Sequence, residues 1–356
     1  MILSWYLTKA YLGRFFALLF GLVVFLQMLD LLANADAVLE GGGQPASALG
    51  RYMMLRIPSI IETVAPLAAL LGGLTALVVL ARNSEIIAMR AAGRSVLSLV
   101  GGLVVVGAVL ALVLFVFSDR VVVRFNAQLE DWKSTGYQPG GEIIDGSETW
   151  VIEDKTIIRV GHVLNNGSVL NDIRLFRQNE AAAVTDIINI RLAIWEAPRW
   201  NLFGVARVGG ESVATPLPQP AWETKLTPED FNKLANPPSE LTFDELEHYV
   251  RELALGTRPD YYYDTWLQRK LAGPAVLALM PLLAAIAAFA HHRQGSAIMV
   301  IVYGISLGFV FIVTDNLLLA MGQFGALPPV VAAWLPLALF GTIGLWIVVN
   351  LENKGA

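Results

Sequence analysis

The 356-residue chain contains no cysteine. Disulfides, thiolate metal sites and cysteine nucleophiles are excluded, whatever compartment the protein occupies. Charge is also scarce: 15% of residues are charged, and the formal net charge is −5. Neutralising a nucleic-acid backbone takes a basic face, so no nucleic-acid partner is expected. Histidine is limited to four residues. Two of these, His291 and His292, are adjacent in a short loop, where neighbouring side chains point apart, and no metal site is expected there. No stretch reads G-x-x-x-x-G-K-[ST], so the chain is not expected to hydrolyse ATP itself. H-E-x-x-H does not occur either, and no catalytic residue is assigned.

Apolar sequence is what the chain has in quantity. Its residues are 55% hydrophobic and its mean hydropathy is +0.58, whereas soluble domains sit near about 45–50% apolar. Six windows, approximately 12–33, 58–81, 95–117, 271–290, 296–320 and 327–349, are long enough to span a bilayer, which takes about 20 residues. The first is too long for a signal peptide, and no small-residue cleavage site precedes Asp30 and Asn34.

Basic residues in the short loops set an expected orientation. Lys9, Arg14, Arg82, Arg90, Arg94, Arg293 and Lys354 fall on one side, against Glu85 and Glu352. That side is expected to be cytoplasmic, together with both termini. Residues 119–262, with 22 acidic and 14 basic residues, then lie on the opposite side. The domain plan is three spans over 1–118, an inserted domain over 119–262, and three spans over 263–356. A polar helix over about 83–93 joins the second and third spans.

In the insertion, continuous apolar runs give way to alternation. The stretches "ETWVIED", "KTIIRVGHVL", "SVLNDIRLFRQ", "AAAVTDIINIRLAIWE" and "RWNLFGVARV" read as strands, and Asn165-Asn166-Gly167 suits a hairpin turn. Strands at this spacing suggest a sandwich or jelly roll. Thr227-Pro228-Glu229-Asp230 opens a short helix. Thr242 and Glu245 form a capping box for a helix over 243–255 that Gly256 closes.

A few polar residues within or beside the spans are candidates for function. Glu62 and Asp315 lie inside apolar windows, where a charge usually faces a cavity or a partner. Both a role toward a bound molecule and a structural hydrogen bond fit them. Arg56, Arg269 and Lys270 gather near the outer interface, where they can meet an anionic head group or extend to lipid phosphates. Gly72-Gly73, Gly101-Gly102, Gly304 and Gly308 permit close helix packing. Pro66, Pro274, Pro281 and Pro336 interrupt helices.

The segment "ARNSEIIAMRAAGRS" after the second span resembles the signature of the LptF/LptG (YjgP/YjgQ) lipopolysaccharide-export permeases. "WETKLTPEDF", "GISLGFVFIVTDNLL" and "GALPPVVAAWLP" are similar to the LptG branch of that family. The resemblance covers essentially the whole chain. It implies a membrane α-helical fold of six transmembrane helices (3+3) with an inserted periplasmic β-jelly-roll domain. It further implies a bacterial inner-membrane ABC-transporter permease that carries lipopolysaccharide and does no covalent chemistry. The partners implied are a paralogous LptF-like permease, a cytoplasmic LptB-like ATPase dimer that uses ATP and Mg, a membrane-tethered LptC-like jelly-roll protein and an LptA-like periplasmic bridge. No cofactor is expected in this chain.

The resemblance makes the polar 83–93 segment a coupling helix for the ATPase. Glu85 matches the acid that faces an ATPase arginine. Ile86, Met89 and Ala92 supply apolar contact, with Arg90 alongside. For the cargo it points to Arg124, with Arg120 and Lys133, just after the third span. Asp30 stands where the LptG branch carries a base near the outer end of the first span, which implies either a lipid A of different phosphorylation or head-group contacts taken over by Arg56 or Lys270. Asp315 completes the candidate substrate set.

Three other readings fit less well. A lipoprotein-release permease usually has four spans, with its domain after the first. An envelope-lipid-modifying enzyme would need acids or histidines clustered at one depth. A passive scaffold would not need the polar helix.

Overall fold

The computed structural model describes residues 2–353 apart from 42–43, 92, 94, 139–147, 154–155, 166, 180–182, 209–213, 217–221, 223, 225, 236–237, 239–240, 249, 251–258 and 291–296. The helices in chain order are α1 (Ile2–Glu40), α2 (Pro45–Arg82), α3 (Glu85–Ala91), α4 (Val96–Phe117) and α5 (Val123–Ser134). Six strands follow: β1 (Thr149–Glu153), β2 (Thr156–Leu164), β3 (Val169–Gln178), β4 (Val184–Glu196), β5 (Arg199–Val208) and β6 (Ala214–Pro216). The chain continues through α6 (Pro228–Ala235), α7 (Phe243–His248), α8 (Asp260–Ala290), α9 (Ala297–Gln323) and α10 (Pro329–Asn353). Two compact units result. One comprises residues 1–36, 46–126 and 264–356, and the other residues 37–45 and 127–263.

In the helical unit, six helical segments are long and apolar enough to cross a bilayer. They have different neighbours. The most apolar windows of α2 and α8 are 72% buried, whereas those of α1, α4, α9 and α10 are 11–28% buried. The centre is therefore α2 and α8, and the other four present apolar side chains outward, as a lipid-bathed or partnered bundle requires. Tyr11, Leu70, Leu74, Leu77, Leu277 and Phe311 fill the centre. Missing side chains allow the closest approaches. A Cβ on Gly72 would meet the Phe15 backbone at 2.9 Å, and one on Gly107 would meet the Leu277 carbonyl oxygen at 2.5 Å. Gly101 and Gly102 differ from the packing expectation, because each has open space around it.

The third span does not stop where its apolar run stops. After Phe117 the chain passes through a π turn, Ser118–Val122, and continues as α5. A widened turn of this kind keeps a helix going while shifting its register by a residue. The change in composition at 118–119 thus falls inside a helical run.

In the second unit the described strands form one antiparallel meander, β1-β2-β3-β4-β5-β6. The strands read from alternation match β1 to β5 to within about three residues at either end. The β2–β3 turn has Asn165 at φ 48° and Gly167 at φ 85°, the left-handed conformations that Asn and Gly tolerate.

Pairing lapses along one row of this sheet. Val160 pairs with Ile173 and His162 with Asn171, and the gap between them recurs around Arg191 and Gly204. Asp172 (φ 50°) and Gly204 (φ 67°) sit in that row. On one side of it Ile158, Val160, Ile173, Leu175, Ile188 and Ile190 are buried; on the other, Leu170, Ala193 and Leu202. All belong to a single core. The backbone flip at the row is what keeps both stretches facing that core, as bends do where a sheet turns a corner. The Arg159 guanidinium ties to the row through Asp172, at 3.0 Å, and also pairs with Glu148.

Trp200 anchors the core. Its indole Nε1 donates to the Leu226 carbonyl at 2.9 Å, and its ring packs edge-on against Phe231 of α6. Both expected helix starts are capped. Thr227 N and Oγ1 donate to Asp230 Oδ2 at 2.8 and 2.7 Å. Thr242 N and Oγ1 donate to Glu245 Oε2 at 2.8 Å each. Helix α7 is described to His248; Gly256 lies outside the described residues.

Candidate functional site

Two polar places in the helical unit carry the candidate residues. The first is the link between the second and third spans. Helix α2 closes with Asn83 N donating to Val79 O and Ser84 N donating to Ala81 O, both at 3.1 Å. Ser84 turns the chain at φ 59°, and its carbonyl accepts from Ala88 N at 3.0 Å to start α3. Asn83 Nδ2 donates to Glu85 Oε1 at 3.2 Å, and the Tyr6 side chain of α1 also faces the Glu85 carboxylate. An acid in the first turn of α3 suits the exposed amides there.

Met89 departs from its expected role as an outward apolar contact. It is 5% exposed and packs with Leu7, Leu80 and Leu99. In a seven-residue helix Met89 lies one turn from Glu85, and the apolar end of α1 and the start of α4 draw it inward. Ala88 and Ala91 are exposed instead. Ala92 and the side chains of Ile86 and Arg90 lie outside the described residues. Beyond the turn at Gly93 (φ 82°), Ser95 caps α4 by accepting from Ser98 N at 3.0 Å. Glu352, near the end of α10, accepts from Leu97 N at 3.2 Å. Two of the amides that α4 leaves unbonded in its first turn are thereby satisfied.

The second place is a set of ion pairs and hydrogen bonds within the spans. Asp30 accepts from Tyr52 Oη at 2.7 Å and from Arg56 Nε at 3.2 Å. The acid where a base was expected therefore holds Arg56, whose side chain is still 37% exposed. Asp315 is 4% exposed and is paired with Arg269, whose Nη1 lies 2.8 Å from Oδ1 and 2.7 Å from Oδ2. Glu62 accepts from Ser118 Oγ at 2.5 Å. Both acids that the sequence left between function and structure thus hold a protein partner, as a carboxylate in a poorly solvated setting requires.

The remaining candidates are spread along the chain. Arg120 and Arg124 are exposed on the helical run beyond Phe117, and Arg120 Nε is 4.0 Å from Asp119 Oδ2. Lys133, at the end of α5, is 3.5 Å from Glu130. Lys270 is half-buried on α8, next in sequence to Arg269. His291 and His292 lie outside the described residues. Residue reading alone missed the Tyr52, Ser118 and Glu352 partnerships.

This layout has relatives among known proteins. The family described as "Lipopolysaccharide export system permease LptF/LptG" matches residues 5–350. The chain is 23% identical over 351 residues to the lipopolysaccharide export system permease protein LptG of Escherichia coli (strain K12), covering 96% of this chain and 97% of that protein. It is 26% identical over 350 residues to the Haemophilus influenzae protein of the same name, again covering 96% of this chain and 97% of the relative. By the extent of the family match, together with six apolar helices and an inserted antiparallel sheet, the chain belongs to the LptF/LptG family of lipopolysaccharide export system permeases.

Proposed function

We propose that this chain is the LptG-branch permease subunit of an ABC transporter in the bacterial inner membrane. It takes lipopolysaccharide out of that membrane and passes it to a periplasmic β-jelly-roll bridge. Both termini and α3 lie in the cytoplasm, and the sheet-bearing unit lies in the periplasm. The chain binds and gates, while ATP hydrolysis with Mg belongs to an LptB-like ATPase dimer docked at α3. An LptF-like permease completes the membrane cavity, and LptC-like and LptA-like jelly-roll proteins continue the route.

The observation that carries this reading is α3. A short helix with an acid in its first turn is fixed to the ends of three spans, in a chain with no nucleotide-binding loop of its own. Such a helix offers a docking surface to an external energy source. Arg120 and Arg124 give the cargo's phosphates exposed cations beyond the third span, and Arg56 adds a further cation already oriented by Asp30.

Affinity purification of the tagged chain from its native membrane tests the proposal. A homologous permease and a soluble ATPase are expected to co-elute, with lipopolysaccharide-stimulated ATP hydrolysis. A chain that elutes alone, or a complex whose ATPase rate ignores added lipopolysaccharide, would overturn it.

A further inference from the structure

Helix α10 is the last of the spans, and it meets its neighbours at a regular interval. Phe340, Gly344, Val348 and Glu352 stand four residues apart. They share one stripe of the helix, which drifts by about 40° per step at 3.6 residues per turn. The drift carries the stripe from one neighbour to the next. The Phe340 ring meets Phe311 of α9 edge-on, with centroids 5.2 Å apart. Gly344 lets α8 approach, since a Cβ there would lie 2.8 Å from Leu282 Cδ2. Val348 is fully buried, in the same core as Val96 and Val100 of α4. Glu352 ends the stripe on α4, where its carboxylate accepts from Leu97 N at 3.2 Å.

This last contact differs from the other polar pairs. Asp30–Arg56 and Glu62–Ser118 lie within the first three spans, and Arg269–Asp315 lies within the last three. Glu352–Leu97 crosses from one set to the other. Leu97 is in the first turn of α4, just beyond the Gly93 turn and the Ser95 cap that follow α3. A carboxylate at a helix start is held by charge as well as by its hydrogen bond. A displacement of α3 therefore reaches α4 through the chain and α10 through Glu352. Helix α10 then brings α8 and α9 with it, through Gly344 and Phe340.

We propose that Glu352 is a positioning residue for transport, the tie by which movement of α3 passes from the first three spans to the last three. The inference rests on the permease reading above. It adds a residue outside α3 on which the yield of transport per ATP depends.

The test uses the full chain with its co-purified partners in proteoliposomes of phospholipid and lipopolysaccharide. Phosphate released and lipopolysaccharide delivered to a soluble jelly-roll acceptor are measured in one sample, and their ratio is the readout. Glu352→Ala is expected to keep the native ATPase stoichiometry and ATP turnover. It should deliver roughly two- to tenfold less lipid per ATP, the ratio for one net hydrogen bond. Glu352→Gln keeps an acceptor and loses the charge, and should recover part of the yield. Ser95→Ala weakens the start of α4 without removing the tie, and should keep the native yield. A native yield in Glu352→Ala, or an equal loss in Ser95→Ala, overturns the inference and leaves the permease reading standing. Loss of the ATPase from Glu352→Ala makes the residue a docking contact, and failure of that variant to assemble makes it a folding contact. Either result overturns the inference too. Native complex that hydrolyses ATP and delivers no lipid overturns both.

Discussion

The Ser118 hydroxyl donates a 2.5 Å hydrogen bond to Glu62 Oε1 at the point where the third span opens into its π turn. A carboxylate within an apolar helix is thereby tied to the place where a neighbouring helix changes register. Ser118→Ala leaves the acid without this donor and is expected to destabilise the helical unit by about 1–3 kcal/mol. Replacing both groups, as in Ser118→Ala with Glu62→Leu, should recover most of the loss. Equilibrium unfolding in mixed micelles measures both, and a single variant as stable as the double would dissolve the pairing.

Arg269 and Asp315 form the most deeply buried ion pair among the described residues, with side-chain exposures of 24% and 5%. Removing one partner leaves the other charged and poorly solvated, which costs about 3–5 kcal/mol for a fully buried pair. Asp315→Leu is expected to fall toward the low end of that range, because Arg269 keeps some solvent. Adding Arg269→Met should return stability to near the native value. The double-mutant cycle decides it: strictly additive losses mean the two residues do not act as a pair.

Glu85 is held by Asn83 and faced by Tyr6, so reversing its charge also tests what those contacts do. Glu85→Arg is expected to lose at least about tenfold of ATPase association, roughly 1.4 kcal/mol or more, while the purified chain unfolds as the native one does. Glu85→Gln keeps the shape and loses the charge, and should fall between. Native stoichiometry of ATPase on the Glu85→Arg chain would remove α3 from the docking role.

The sheet-bearing unit has its own pH signature. The hydrogen bond from Arg159 holds the Glu148 carboxyl below its usual 4.5. A lowered folded-state value favours the folded form above the unfolded value, and that contribution is lost as pH falls through the folded one. Glu148→Gln should therefore lose this contribution at neutral pH and converge with the native protein in acid, so its stability falls less as pH drops below about 4.5. The readout is tryptophan fluorescence across an acid titration. Identical acid limbs for native protein and variant would contradict the pairing.

Local sequence pattern was enough to place the spans, the strands β1 to β5, the helix start at Thr227 and the capping box of Thr242 and Glu245, because each depends on residues a few positions apart. What joins helices was out of its reach. Asp30–Arg56, Arg269–Asp315 and Ser118–Glu62 are separated by 26, 46 and 56 residues, and an isolated acid does not name its partner. The helical run past Phe117 was hidden because Ser118, Asp119 and Arg120 look like the end of a span, whereas a π turn carries the helix through them. Strand β6 is three residues ending in Pro216, too short for alternation to register. The inward turn of Met89 was equally hidden, since three apolar residues fall within four positions of the sequence there, at 86, 87 and 89, and no single one is marked out.

That inward turn bears on how the chain can be worked mechanically. Met89 touches Leu7 of α1, Leu80 of α2 and Leu99 of α4, so α3 is seated on three spans instead of hanging from one. A push on it is shared by all three at their ends, and none of them can swing alone. Helix α3 is built as a footplate for the bundle: a force applied to it is passed to the ends of three helices at once.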